Sequence, residues 1–274
     1  MESLQLPVGD LVFDAVATGP ADGRLVLLLH GFPQTSWSWR FVMASLAEAG
    51  YRAVAPDQRG YSPGARPEGV SSYAMPHLLS DALGMLDALG ASCADVVGHD
   101  WGAAVAWQLA SRHPSRVRTL TAVSVPHPLA FVDALRTDAD QRARSQYMKD
   151  FGVVGVAEES LLADDGLRAL FGGEQDIAPY LALMRQPGVL TKCLSWYRAQ
   201  SLSDIEDVGP VKVPTLYVWS DQDRALGRAA AVTTSGYVEA PYRFEVLPGV
   251  SHWIPEEAPG ALSGLLLEHL ASHG

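Results

Sequence analysis

The residues with the most chemical content are Gly98-His99-Asp100-Trp101-Gly102, which follow the apolar pair Val96-Val97. Glycines at 98 and 102 bracket a central side chain between a strand and a helix. This is the layout of a nucleophile elbow, in which a sharp turn lifts the middle residue above the sheet, beside the first N–H groups of the next helix. Here an aspartate holds the middle position. A carboxylate attacking a carbonyl would give a reactive anhydride, so its natural target is an sp³ carbon with a leaving group, and the product is an alkyl-enzyme ester. The competing reading is that Asp100 only caps the helix that follows it, aspartate being a favoured N-cap residue.

A second motif points to the same place. His30-Gly31-Phe32-Pro33 comes directly after the aliphatic run Leu25–Leu29, where the N–H of Phe32 and that of Trp101 would face a common spot. Each such donor stabilises a developing oxyanion by roughly 3 kcal/mol. The alternative for this motif is an ordinary turn out of a strand. An ester on Asp100 needs a base to activate water, and the order nucleophile, acid, histidine leaves His252, His269 and His273 among the eight histidines. His269 falls in a terminal helical stretch and His273 in the tail, whereas His252 follows an apolar run through Pro248-Gly249. His252 is therefore the expected base. Its acid partner is Asp223, with Asp221 held open, both in Ser220-Asp221-Gln222-Asp223.

These positions require a frame. Apolar runs at 11–16, 25–29, 52–55, 94–97 and 117–123 alternate with helical spacing at 37–49, 76–89 and 101–113. Strands alternating with helices of that length imply right-handed crossovers and a mostly parallel sheet, so the expected class is α/β. From about 128 to 207 the pattern turns to charge-dotted helical stretches (138–150, 158–170, 180–184, 190–201) without a convincing strand. The strand and helix rhythm resumes at 215–219, 225–234, 242–247 and 259–270. The expected organisation is a core over 1–128, a helical cap over 129–207, and the rest of the core over 208–274.

Composition limits the partners. The chain of 274 residues is 48% hydrophobic, enough to bury a core, and its net charge of −11 repels phosphate backbones and anionic lipid. Neither a nucleic-acid nor a membrane partner is expected. Cys93 and Cys193 match neither a disulfide framework nor a zinc spacing. The N-terminal residues lack the apolar core of a signal peptide. A cytoplasmic protein without metal or cofactor is expected.

A carboxylate nucleophile at an sp³ carbon narrows the chemistry to epoxide opening or carbon–halogen cleavage. The segments HGFPQTSWSWR (30–40), PDQRGYSPGARP (56–67), GHDWG (98–102) and GVSHWIPEE (249–257) are similar to the epoxide hydrolases of the α/β-hydrolase superfamily, over nearly the whole chain. That resemblance implies an eight-stranded core with a helical cap and an aspartate–histidine–aspartate triad. It also implies two cap tyrosines that protonate the epoxide oxygen, the substrate being a small hydrophobic epoxide together with water. Tyr197, in Leu194-Ser195-Trp196-Tyr197-Arg198, matches the second cap-tyrosine motif except that serine replaces asparagine at 195, and Tyr147 falls where the first usually lies. A phenol with a pKa near ~10 stays protonated at neutral pH and can donate to a nascent alkoxide. The alternatives are a haloalkane dehalogenase on the same scaffold, with Trp101 or Trp196 as halide donors, and a binding protein without turnover. An intact set of two carboxylates and a histidine argues against the last.

Overall fold

The structure, a computed structural model, describes residues 1–163, 165–172, 176–201, 205 and 207–273. Eight strands form one sheet: β1 (Glu2–Val8), β2 (Leu11–Thr18), β3 (Leu25–Leu29), β4 (Arg52–Pro56), β5 (Ala94–His99), β6 (Val117–Val123), β7 (Thr215–Ser220) and β8 (Tyr242–Leu247). Their order is β1-β2-β4-β3-β5-β6-β7-β8, with β1 and β2 antiparallel to their neighbours and the remaining pairs parallel. The central strands read as unbroken aliphatic runs because helices cover both of their faces. Every residue of β5 is buried, and Val26 to Leu29 of β3 are inaccessible to solvent. Burying each such side chain is worth ~2 kcal/mol relative to exposure.

On one face the turn Ser36–Trp39, α1 (Arg40–Glu48) and the C-terminal helix Pro259–Ser272 pack Trp39, Leu46 and Leu266 against Val26, Leu28 and Val97. On the other, α2 (Met75–Ala88) and α3 (Trp101–Arg112) set Leu86 and Trp107 against Leu27, Leu29 and Val96. The parallel register aligns Leu29 with Gly98, His99 with Val123, and Ser220 with Leu247. The carboxyl ends of β3, β5, β6, β7 and β8 therefore share one edge. The segments that carry Phe32, Asp100, Asp223 and His252 all leave from it.

Strand β1 was not anticipated from the sequence. It is a largely exposed edge strand in which Leu4, Leu6 and Val8 alternate with Ser3, Gln5 and Pro7, a pattern of three apolar positions of which only Leu6 is fully buried. Between β6 and β7 the described residues are helical or irregular, with no strand. The helices are α4 (Pro128–Thr137), α5 (Ala139–Arg144), α6 (Tyr147–Gly152), α7 (Val156–Leu162), α8 (Gly166–Phe171), α9 (Ala178–Met184) and α10 (Val189–Ala199). The stretches expected as single helices over 138–150 and 158–170 are each two short ones, position 164 lying outside the described residues. Gly155 at φ 90 and the left-handed Gly172 bound this fragmented part of the chain.

Candidate active site

Asp100 sits between β5 and α3 with φ 52 and ψ −122. It makes no capping hydrogen bond to α3, and its Oδ1 instead accepts the Phe32 N–H at 2.8 Å. That contact excludes a capping role alone. The flanking glycines are dictated by contact. A Cβ on Gly98 would overlap the Gly102 carbonyl, one on Gly102 the Leu29 carbonyl, and one on Gly31 the Asp100 carboxylate itself. His30 is wholly buried, and its Nε2 accepts the Gln58 N–H at 3.0 Å, which fixes the loop that presents Phe32. The Trp101 N–H adds to the forces that lower the pKa of Asp100. Burial opposes that shift, but His252, through its hydrogen bond and charge, outweighs it together with His99.

Asp223 is buried, and its Oδ2 accepts His252 Nδ1–H at 2.8 Å. Its Oδ1 is fixed by the N–H groups of Ala225 (2.7 Å) and Leu226 (2.9 Å). Asp221 is exposed and accepts the Gly249 N–H at 2.7 Å, so it braces the turn and does not face the histidine. Sequence left these two open; geometry brings only Asp223 to His252. The far ring nitrogen, Nε2, lies 3.4 Å from Asp100 Oδ2. Burial disfavours the charged ring, but the carboxylates of Asp223 and Asp100 prevail and raise His252 to about 10. The resting pair is thus a carboxylate against an imidazolium.

Tyr147 opens α6 and Tyr197 lies in α10, and both line the cavities that reach Asp100. Tyr197 packs edge-on against Trp101 (centroids 5.0 Å), Phe151 (5.0 Å) and Phe32 (5.6 Å), and lies 6.3 Å from Tyr147. Burial, then the Asp100 charge, pushes the Tyr147 phenol upward, and burial and Tyr147 do the same for Tyr197, so both hold their protons at neutral pH. A cavity of about 360 Å³ reaches Asp100, His252, Tyr147 and Tyr197 from one side. A second, of about 140 Å³ and lined by Met75, Phe131 and Leu226, reaches Asp100 and both tyrosines from the other.

Residues 24–259 match the family model described as alpha/beta hydrolase fold. The chain is 36% identical over 272 residues to the AB hydrolase superfamily protein YfhM of Bacillus subtilis, covering 95% of this chain and 94% of the relative. It is 30% identical over 303 residues to Epoxide hydrolase A of Mycobacterium tuberculosis, covering 93% and 92%. The crystal structure of Epoxide Hydrolase A from Mycobacterium thermoresistibile superposes with a TM-score of 0.86 at 26% identity, over 100% of this chain and 99% of that one. The chain belongs to the epoxide hydrolase family of the alpha/beta hydrolase fold.

In this epoxide hydrolase family member the third tyrosine between β6 and β7, Tyr180, points elsewhere: its hydroxyl donates to Glu256, which also pairs with Arg40 at 2.8 Å. Trp196 Nε1–H donates to the Arg59 carbonyl at 2.9 Å and so turns away from the cavity. Trp39 is buried under α1, and Trp37 lies at the surface beneath Arg40, so neither lines the cavity. Arg59 braces its loop through a bidentate pair with Asp81 on α2 (2.6 and 2.6 Å), while Asp57 accepts the Ser36 N–H. Sequence reasoning did not find Phe151, four residues beyond Tyr147 on the same helical face, or Trp253, whose ring meets that of His252 at 4.9 Å. The spacing from Tyr147 was the one available signal.

Proposed function

We propose that the protein hydrolyses epoxides to vicinal diols. The observation that carries this is that two protonated phenols, Tyr147 and Tyr197, line the same cavities as a carboxylate whose two oxygens already have separate tasks. Oδ1 rests on the Phe32 N–H and Oδ2 faces the open site and His252. Oδ2 attacks an epoxide carbon, the carbon–oxygen bond breaks, and the oxygen takes a proton from the tyrosine pair. The resting imidazolium then returns that proton to the tyrosines and becomes the neutral base. His252, oriented by Asp223, takes a proton from water as the water attacks Asp100 Cγ, with the Phe32 and Trp101 N–H groups holding the oxyanion on Oδ1. Collapse releases the diol. One proton of the water ends on the product hydroxyl and the other on His252, which restores the ion pair with Asp100.

In this reading residues 129–207 are a cap inserted between the core segments 1–128 and 208–274, supplying the acid groups that distinguish the reaction from others on the same sheet. The substrates are a small hydrophobic epoxide and water. Two free thiols support a reducing location, the cytoplasm. No helix among the described residues is long and apolar enough to cross a membrane. A haloalkane substrate is less well served, because Trp196, its cap halide donor, already gives its N–H to Arg59. The test is a His252→Gln variant incubated with epoxides and haloalkanes and weighed intact. A gain equal to a whole epoxide on Asp100 supports the proposal. A gain of haloalkane minus hydrogen halide, with none from epoxides, replaces it with the dehalogenase, and no adduct from either returns the protein to a binding role.

A further inference from the structure

The base of this reaction sits in a loop. His252 lies between β8 and the short helix Ile254–Glu257, without a strand or helix of its own to fix its backbone. Its carbonyl oxygen nevertheless accepts Ser124 Oγ–H at 2.8 Å and His99 Nε2–H at 2.9 Å, besides the Ile254 N–H at 3.0 Å. One residue earlier, the Ser251 carbonyl accepts Ser220 Oγ–H at 2.7 Å. His99, Ser124 and Ser220 are inaccessible to solvent and stand at the ends of three adjacent strands, β5, β6 and β7.

Two further features set Ser124 apart. Its φ of 68 is a conformation that a non-glycine residue holds only when its surroundings compel it. Its own carbonyl is occupied by Tyr217 Oη–H at 3.0 Å, and its N–H donates to Val218, which leaves the hydroxyl committed to His252. His99 is equally committed. Burial first, and the neighbouring His252 charge next, lower its pKa to about 4, so the neutral ring has one N–H to give. That N–H goes to the His252 carbonyl, the only acceptor that Nε2 faces among the described residues, while Nδ1 lies 2.9 Å from the end of the Gln34 carboxamide.

We propose that Ser124, His99 and Ser220 are positioning residues that lock the backbone of the His252 segment to the strand ends, and that they serve the hydrolytic half of the reaction and not the attack. The assignment rests on the two-step epoxide reading above. Asp100 needs no help from His252 to attack, whereas water must be held in line by the ring, and a base misplaced by about 1 Å loses on the order of a hundredfold. The lock also ties base to nucleophile, since His99 immediately precedes Asp100 on the same strand end.

The experiment is a stopped-flow separation of alkylation from ester hydrolysis with an epoxide that the wild type turns over, on Ser124→Ala, Ser124→Gly and Ser220→Ala. Expected for both Ser124 variants is a fall in the hydrolysis constant of about tenfold or more, with alkylation within about twofold and Asp100 ester accumulating in the steady state. Ser220→Ala, one residue removed, should show a smaller effect of the same kind. Glycine accepts a φ of 68 without strain, so an effect in Ser124→Ala that Ser124→Gly abolishes would assign the role to backbone conformation and overturn the hydroxyl's part. Equal loss in both half-reactions, or none in either, would overturn the proposal. The downfield Nδ1–H resonance of His252 in the substrate-free protein supplies a reading independent of turnover: it should broaden or vanish in the Ser124 variants, and an unchanged line would count against the lock. If no epoxide alkylates the wild type, the hydrolase reading falls while this resonance still decides whether the segment is held as described.

Discussion

Converting Asp100 to asparagine is expected to lower the pKa of His252 by about two units from its value of about 10. The groups responsible lie 3.4 Å apart, Asp100 Oδ2 against His252 Nε2. Two unit charges at that separation interact by about 5 kcal/mol at an effective dielectric of about 20, equivalent to between about three and four pKa units. The carboxylate charge is spread over two oxygens, and Oδ1 is turned toward the Phe32 N–H at 2.8 Å, so about half that shift is expected. Asp223 remains at 2.8 Å from Nδ1 and keeps the ring above its ordinary value against the effect of burial. The assay is a pH titration of the His252 ring followed by nitrogen NMR in protein labelled at histidine, wild type beside Asp100→Asn. A stability measurement gives an independent sign. A base whose folded pKa is raised adds stability that is complete below its unfolded value of 6.5 and is lost as pH climbs through the folded value. In the variant the loss begins at the same unfolded value but should be complete at a lower pH and smaller in total. The mechanistic consequence is that ester formation also discharges Asp100. In the proposed reaction the attack step would thereby raise the neutral fraction of His252 at pH 7.5 on the order of a hundredfold. A His252 titration that stays within about half a unit of the wild type would refute this coupling.

Three other outcomes follow from the same geometry. Tyr197→Phe is expected to slow ring opening by about 10²-fold or more, and Tyr147→Phe comparably, in single-turnover alkylation of Asp100; an unchanged constant removes that phenol from the mechanism. Gly31→Ala places a methyl group on the Asp100 carboxylate, so alkylation should fall by at least about 10²-fold while the circular dichroism spectrum is retained. Arg59→Met strands a buried carboxylate at Asp81 and should cost about 3 kcal/mol in urea denaturation, whereas the double variant Arg59→Met, Asp81→Leu recovers most of it.

The parts of the site that could be read from sequence are those that local geometry dictates. Gly98, Gly102 and Gly31 are forced by backbone or carboxylate atoms that would occupy the space of a Cβ, so the motifs around Asp100 and Phe32 report the turn as well as the chemistry. His252 was reachable through chain order. The choice between Asp221 and Asp223 was not, because two residues of one turn differ only in which way a loop folds, and that is set by N–H donors at Gly249, Ala225 and Leu226. The facing of Tyr147 and Tyr180 was equally closed to periodicity. Helices α6 and α9 have six and seven residues, too few turns for an apolar stripe to declare a face. Resemblance supplied the tyrosine pair, and tertiary contacts exclude Tyr180. The lock on His252 was invisible because a serine hydroxyl bound to a carbonyl some 128 positions away leaves no local pattern.

Backbone strain marks the same edge of the sheet. Among the described residues the non-glycine positions with positive φ are Asp100 and Ser124, and they follow the neighbouring strands β5 and β6. Each such conformation costs on the order of 1–3 kcal/mol and persists only where the surroundings over-determine it. For Asp100 those surroundings are the glycines on either side and the Phe32 N–H; for Ser124 they are Val218, Tyr217 and the His252 carbonyl. A parallel sheet delivers its strand ends side by side, about 5 Å apart, so two strained residues on adjacent strands can hold together Asp100 and His252, the proposed nucleophile and base, which are 152 positions apart in the chain. Relaxing either turn would leave the fold standing and move one reacting group relative to the other. The strain is therefore best understood as a property of the Asp100–His252 pairing and not of the sheet, which has no use for it elsewhere among the described residues.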